Sequence, residues 1–317
     1  MTSTSRPTGP VGPADGERPL VEGDTDHVVL RPCPWAGGAS DIGLSHTTNQ
    51  DSLAIAAGLD ADGGRIAAVA VSDGVSTSPH SAQAAHVAAT VSANRLADTL
   101  QGAGIFSLPD LGSRIHEAFV HANDAVLAAA EFDEPGSWAC TLVLAAWWRG
   151  RIVVGNIGDS RCYWVPDTGE ARLLSTDDSL AQARIELGMA RVAAETGAQA
   201  HAILKWLGPG AGDPEPTLQA LHPKTAGWVI VCSDGLWNYA SAPADMERVV
   251  HDCLAELGLE RPPAWRLAEG LVAWSNSQGG RDNVTVAALD VAAPARPRDD
   301  PPAPSQDAGT RVARPTG

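Results

Sequence analysis

Twice in this chain an uninterrupted apolar run stops at the tripeptide Ser-Asp-Gly. Val69-Ala70-Val71 runs into Ser72-Asp73-Gly74, and Val229-Ile230-Val231-Cys232 runs into Ser233-Asp234-Gly235. A short apolar run bounded by turn residues reads as a buried strand, which needs a layer of structure on each face. An Asp-Gly pair standing alone is most often only a turn. The repetition argues for more, because it fixes two carboxylates at rigid strand ends. Each has beside it a glycine that lets the backbone approach an ion and offer its carbonyl. Three more aspartates stand in comparable places. Asp159 lies in Gly158-Asp159-Ser160-Arg161, between two strand-like runs. Asp282, in Gly280-Arg281-Asp282-Asn283, precedes the last run, and Asp51, in Asn49-Gln50-Asp51, precedes the first. Carboxylates that converge without basic partners suit hard divalent cations such as magnesium and manganese, which take oxygen ligands and keep several waters.

The order of elements narrows the architecture. Ser52–Ala57 and Arg65–Val71 read as strands joined by a turn at Asp60-Ala61-Asp62-Gly63-Gly64. Ser81–Leu100 and Leu108–Ala130 read as helices, the second with Leu111, Ile115, Ala118, Ala122 and Val126 on one stripe. Two hairpins follow: Thr141–Trp148 with Arg151–Asn156, and Cys162–Val165 with Ala171–Leu174. A short helix is predicted over Asp178–Gly188, and short strands over Ile203–Leu207, Thr217–Leu221 and Gly227–Cys232. Helices over Ala244–Leu257 and Pro262–Asn276 and a strand over Val284–Leu289 close the body. Strands in hairpins and helices in pairs predict an α+β fold in which two antiparallel sheets face each other with helix pairs outside.

Residues 1–28 and 293–317 are rich in Pro, Gly, Ala and charge, so they read as disordered tails around one folded domain, 29–292. The formal net charge of −16 opposes nucleic acid and anionic lipid, and the chain shows no basic patch. No stretch is apolar enough for a membrane span, and the first 24 residues lack the apolar core of a signal peptide. The five cysteines include no CxxC and read as reduced core residues, so a cytoplasmic setting is expected.

Several motifs taken together resemble the ordered signature of the metal-dependent type 2C (PPM) Ser/Thr protein phosphatases. They are Gly43-Leu44-Ser45-His46-Thr47-Thr48-Asn49-Gln50-Asp51-Ser52, Ser72-Asp73-Gly74, Gly158-Asp159-Ser160-Arg161-Cys162-Tyr163, Cys232-Ser233-Asp234-Gly235-Leu236-Trp237 and Gly280-Arg281-Asp282-Asn283-Val284-Thr285-Val286. Leu174-Ser175-Thr176-Asp177-Asp178-Ser179-Leu180 and Leu204-Lys205-Trp206-Leu207-Gly208 are similar to segments of the same family. The resemblance implies a four-layer αββα sandwich with two manganese or magnesium ions at one end. It implies that Asp73 bridges the ions, that the Gly74 carbonyl binds one, and that Asp234 and Asp282 bind the other. Asp51 would hold coordinated water, and Asp159 would serve a third, weaker ion. The implied reaction is hydrolysis of phosphoserine and phosphothreonine in proteins by a hydroxide bridging the two ions, in a cytoplasmic signalling circuit with a Ser/Thr kinase.

Three departures from the family pattern stand out. His46 replaces a phosphate-binding arginine, Gln50 replaces a common glutamate, and Val75-Ser76-Thr77-Ser78-Pro79-His80 replaces the glycines common in that loop; Val75 stands where eukaryotic relatives have a histidine, so water or His80 would have to protonate the leaving group. The first departure supports a second reading, a catalytically weak phosphatase-like binding module. Other signals fall away. Gly158-Asp159-Ser160 lacks the strand-to-helix context of a nucleophilic serine, and His116 and His121 are one residue too far apart for a helical zinc pair. Trp147-Trp148 places a ring on each face of a strand, so one exposed ring is expected.

Overall fold

The computed structural model describes residues 26–291, apart from 61, 103–106, 132 and 135. Most of both predicted tails therefore lies outside the described residues. The chain opens with β1 (His27–Cys33) and β2 (Ala36–Asp41), followed by β3 (Asp51–Leu59) and β4 (Arg65–Asp73). Helices α1 (Ser81–Gly102) and α2 (Leu108–Ala129) come next, then β5 (Leu142–Trp148), β6 (Arg151–Ile157), β7 (Arg161–Pro166) and β8 (Arg172–Leu173). Short helices α3 (Leu180–Glu186) and α4 (Arg191–Glu195) lead to β9 (Thr217–Leu221) and β10 (Gly227–Cys232). One turn of helix, α5 (Asp234–Trp237), precedes α6 (Pro243–Leu257), α7 (Ala264–Ser277) and β11 (Val284–Val291).

The strands form two antiparallel sheets, in the orders β1-β2-β11-β10-β7-β8 and β3-β4-β5-β6-β9. Three apolar layers hold them. Alternate residues of β4, β5 and β6 (Ala68, Ala70, Leu142, Leu144, Val153) pack under α1 and α2. Their neighbours Val69, Val71, Val143 and Val154 face Val229, Val231, Ala287 and Leu289 of the second sheet. The outer face of that sheet (Trp228, Ile230, Val286, Ala288) is covered by α6 and α7. The period-2 alternation of each strand thus supplies both the middle layer and one outer layer, and the αββα sandwich expected from the sequence is present.

Some elements differ from their sequence reading. β1 begins at His27, two residues inside the segment assigned to the tail, and neither β1 nor β2 was anticipated. β2 is Ala-Gly-Gly-Ala-Ser-Asp, a poor strand by composition. Its glycines are demanded by packing. A Cβ on Gly37 would lie 2.6 Å from the Trp265 backbone nitrogen of α7, and one on Gly38 would lie 2.4 Å from Leu53 Cδ1 of β3. The predicted strand at Ile203–Leu207 is not a strand. Ile203 pairs with Ser179 and Leu207 with Cys140, so its two ends go to different partners and no ladder forms. Trp147 and Trp148 do point to opposite faces, but neither is exposed: Trp147 packs between the sheets and Trp148 beneath the helices. Cys140, Cys162, Cys232 and Cys253 are buried thiols and Cys33 is half-buried, all unbridged.

Candidate metal centre

The antiparallel register of β3 and β4 sets Asp51 directly opposite Asp73 at the open end of the strand pair. Directly opposed residues have side chains about 5 Å apart, so the charge of Asp51 bears directly on Asp73. β10 ends at the facing edge of the other sheet. There the Ser233 hydroxyl donates to Asp51 Oδ2 at 2.6 Å, stitching the sheets together at the site. Ser233 Oγ also accepts from the Thr285 N–H at 3.0 Å, which fixes the hydroxyl. Asp234 follows as the first residue of α5, with Asn238 Nδ2 donating to its Oδ2 at 3.1 Å. Asp159 occupies the β6–β7 turn, where Trp237 Nε1 donates to its carbonyl at 2.9 Å. Asp282 precedes β11, beside His46, whose Nε2 lies 3.2 Å from Asp282 Oδ1.

Buried side chains hold this arrangement from behind. Asn283 Oδ1 accepts from the Gln50 N–H at 2.8 Å, while its Nδ2 donates to the carbonyls of Ile42 and Thr48, so one amide pins the loop that carries His46 and Asp51. Thr141 Oγ1 accepts from the Asp73 N–H at 2.9 Å and contacts Ser160 Oγ at 2.8 Å. Gly74 is wedged against α1, where a Cβ would lie 2.7 Å from the Ser81 carbonyl carbon. The backbone bonds around it use its N–H, which donates to Gln50 O, but not its own carbonyl oxygen. The Gln50 side chain, at the position of the family's common glutamate, donates through Nε2 to Ser81 Oγ. His80 pairs with Asp133 at 3.8 Å and lies against Trp138.

The electrostatics show what this cluster lacks. Burial, then the neighbouring carboxylates, pushes the Asp73 and Asp234 carboxyls well above the ordinary carboxylate range. Burial raises Asp51 to about 6 and Asp159 to about 7. Arg161, whose charge Asp159 feels, is already engaged by Asp177 and Glu195 at 2.7 and 3.0 Å. Asp159 is 3% exposed, and its Oδ1 has no hydrogen-bond partner. A buried, unpaired carboxylate oxygen is costly. A cation is the partner that relieves both the orphaned oxygen and the mutual repulsion. The donor set, carboxylates with a free backbone carbonyl, fits manganese or magnesium.

A consequence for the ion-free protein follows from these shifts. Asp51 and Asp159 keep protons in the folded state at pH values where an unfolded aspartate, near 3.8, has lost them. The folded state therefore binds more protons, and stability declines as pH rises through about 6 to 7. In the presence of chelator the melting temperature should fall by several degrees between pH 5 and pH 8. Added manganese should reverse the trend, because metal binding displaces those protons. A melting temperature that climbs with pH in chelator would show that the carboxylates carry no such repulsion.

The structure thus brings Asp51, Asp73, Asp159, Asp234 and Asp282 into one electrostatic cluster, with Gly74 and His46 adjoining it. Sequence reasoning missed the supports Ser233, Thr141 and Thr285. It also missed His201, on the turn after α4: single ligand atoms of Asp159, His201 and Asp234 lie within 4.8 Å of one another. Nothing local to His201 in the sequence marks it.

Two facing antiparallel sheets with carboxylates gathered at one end define a β-sandwich protein whose acidic cluster fits the donor set of a divalent-cation site. The Protein phosphatase 2C family model matches residues 42–274. The chain belongs to the protein phosphatase 2C family. Among its relatives is the serine/threonine phosphatase stp of Listeria innocua, 28% identical over 168 residues. That match covers 53% of this chain and 62% of the Listeria protein, so the likeness spans under two thirds of the relative's length. The Mycobacterium tuberculosis serine/threonine phosphatase PstP/Ppp is 25% identical, with a TM-score of 0.63 over 84% of this chain and all of its own. The catalytic domain of PstP in complex with two manganese ions is also 25% identical, with a TM-score of 0.59 over 84% of this chain and 99% of its own.

Proposed function

We propose that this chain is a metal-dependent phosphatase acting on phosphoserine and phosphothreonine in proteins, with Asp51, Asp73, Gly74, Asp159, Asp234 and Asp282 as its cation-holding residues. The observation that carries the reading is the convergence of five carboxylates from separate strand ends, whose mutual repulsion raises Asp73 and Asp234 well above the ordinary carboxylate range. Divalent ions held there would supply positive charge for the phosphoryl oxygens and water acidic enough to act as nucleophile near neutral pH; the similar PstP catalytic domain is a complex with two manganese ions. Asp73, shared at the centre of the cluster, and Asp234 and Asp282 would hold these ions. Ser233 holds Asp51 through its Oδ2 and Asn238 holds Asp234 through its Oδ2, which orients both carboxylates. The buried supports keep these groups from relaxing apart, so the site is preorganised. Phosphoproteins of a Ser/Thr kinase circuit in the cytoplasm are the substrates this reading entails. The acidic chain is suited to neither nucleic acid nor anionic membrane, and no helix among the described residues is long and apolar enough to cross a membrane.

The test is hydrolysis of a chromogenic aryl phosphate by metal-stripped protein with manganese, magnesium or chelator. Turnover is expected with manganese, and none with chelator. Activity that survives chelation, or that a serine-directed fluorophosphonate abolishes, removes the metal-dependent reading. We assign turnover to the folded body. Because β1 starts at His27, whose Nδ1 bonds Asp41 Oδ2 at 2.8 Å, the trimmed chain should span 26–291. It should match the full chain in kcat on the aryl phosphate; a trimmed chain that folds but does not turn over would place a needed group in a terminal segment.

His46 decides between this reading and the weaker binding module. Its Nε2 sits beside Asp282 Oδ1, at the rim where a phosphate would enter. We expect His46→Ala to raise KM about 10- to 100-fold with little change in kcat, the loss of one charge-assisted hydrogen bond. His46→Arg should restore binding through its planar fork. Steady-state kinetics in which His46→Ala leaves KM unchanged would strip the residue of a substrate role.

A further inference from the structure

His201 stands outside the set of residues that the strand ends explain. It is exposed on the turn after α4, yet its backbone is held from both sides: the N–H of Ala181 donates to Ala200 O, and the N–H of Leu180 to Ala202 O. Ala200 is buried with Ala181 and Ala194, so this turn is packed onto α3 and α4. The His201 ring lies 5.9 Å from the Trp237 ring. The same Trp237 donates its Nε1 hydrogen to Asp159 O. The imidazole makes no hydrogen bond or ion pair with a described residue, and one of its nitrogens falls within 4.8 Å of a carboxylate oxygen of Asp159 and one of Asp234.

We propose that Asp159, His201 and Asp234 form a mixed nitrogen–oxygen cation site that takes a divalent first-row transition ion in preference to magnesium. The proposal rests on the metal-dependent reading above and adds to it a nitrogen ligand and a metal preference. Two observations carry it independently. The first is the spacing. Donors around one ion at bonds of about 2.1 Å lie about 3.0 to 4.2 Å apart, and three ligand atoms within 4.8 Å of one another come close enough for side-chain rotation to bring them to one ion. The second is Asp159 Oδ1, in a residue 3% exposed and without any hydrogen-bond partner. An oxygen buried without a partner is the mark of a ligand position, whereas acidic groups on an open surface are satisfied by water. The nitrogen sets the preference. Imidazole binds manganese weakly and the later first-row ions more strongly, while magnesium holds its waters and favours oxygen alone. The carboxylates Asp51, Asp73 and Asp282, with the Gly74 carbonyl, offer oxygen only. The cluster would therefore have two chemically different parts, joined by Asp234.

The test uses the full chain, stripped of metal and titrated with manganese, with free ion counted by electron paramagnetic resonance and nitrogen ligation read from pulsed-resonance coupling to nitrogen-14. The wild type should show histidine nitrogen coupling at full occupancy. His201→Ala should remove that coupling and weaken one class of manganese site at least about tenfold, since losing a ligand costs no less than losing an outer partner. Magnesium binding should change little. Asp73→Asn should disturb the oxygen-only sites yet keep the nitrogen coupling. His46 is the competing source of nitrogen, so His46→Ala must leave the coupling in place. Coupling that is absent from the fully loaded wild type, survives in His201→Ala, or disappears in His46→Ala overturns the proposal and leaves the metal-dependent reading standing. A wild type that binds no manganese overturns both.

Discussion

Asp73→Asn should lower kcat on a small aryl phosphate by about 10³-fold or more while leaving the fold intact. Asp73 feels the charges of Asp51, Asp234, Asp159 and Asp282, so it stands within the charge that cations must balance. Losing a ligand there removes several kcal/mol of transition-state stabilisation, and each ~1.4 kcal/mol is a decade in rate. The same change should help the ion-free protein. An amide carries no charge and removes the repulsion that burial makes expensive. We therefore expect a higher melting temperature in chelator at pH 8, opposite in sign to the effect on turnover. Near-normal turnover at saturating manganese would show that Asp73 is not a ligand, and a lower melting temperature would show that its role is structural.

The second large effect should come from Arg161, at the start of β7 and 1% exposed. Its guanidinium donates to Asp177 through Nε and Nη2, to Glu195 at 3.0 Å and to Ser241 Oγ at 3.0 Å, and lies 3.7 Å from the Trp237 ring centroid. The Asp177 side chain is only 4% exposed. Arg161→Ala would leave that carboxylate buried without its partner, a loss of about 3–5 kcal/mol for broken buried pairs. Urea unfolding should show it as a lower midpoint at unchanged slope. Arg161→Lys should recover only part, because an ammonium cannot fork between two carboxylates and also stack on an indole. A loss under about 1 kcal/mol would mean that Asp177 is solvated on its own and that the network is incidental. Since Glu195 belongs to α4, the same pair anchors the segment that leads to the His201 turn.

These two residues differ in how far the sequence exposes their roles. Asp73 is legible because its context is local: an apolar strand, a serine and a glycine, repeated at Asp234. Arg161 sits in a recognisable motif, but its partners Asp177, Glu195 and Ser241 are 16, 34 and 80 residues away, and no pattern in the chain names them.

Local chemistry in the sequence determined the strands with period-2 or wholly apolar runs, the amphipathic helices, the order of hairpins and helix pairs, and thus the αββα layering. It also determined where carboxylates meet strand ends, because a strand that stops at Ser-Asp-Gly needs no distant partner to place its aspartate. Tertiary structure alone decided the rest. β2 is a strand because Trp265 and Leu53 press on its two glycines from opposite faces, a pressure that overrides the low strand preference of Ala-Gly-Gly-Ala. Ile203–Leu207 fails to become a strand because its ends are claimed by Ser179 and Cys140. Gln50 turns to Ser81, and Ser233 crosses from one sheet to cap Asp51 in the other. His201 comes within 4.8 Å of Asp159 and Asp234 on a turn that backbone bonds and the buried Ala200 hold against α3 and α4. Each of these depends on which distant surfaces meet, and packing free energy, which local pattern does not encode, selects among them.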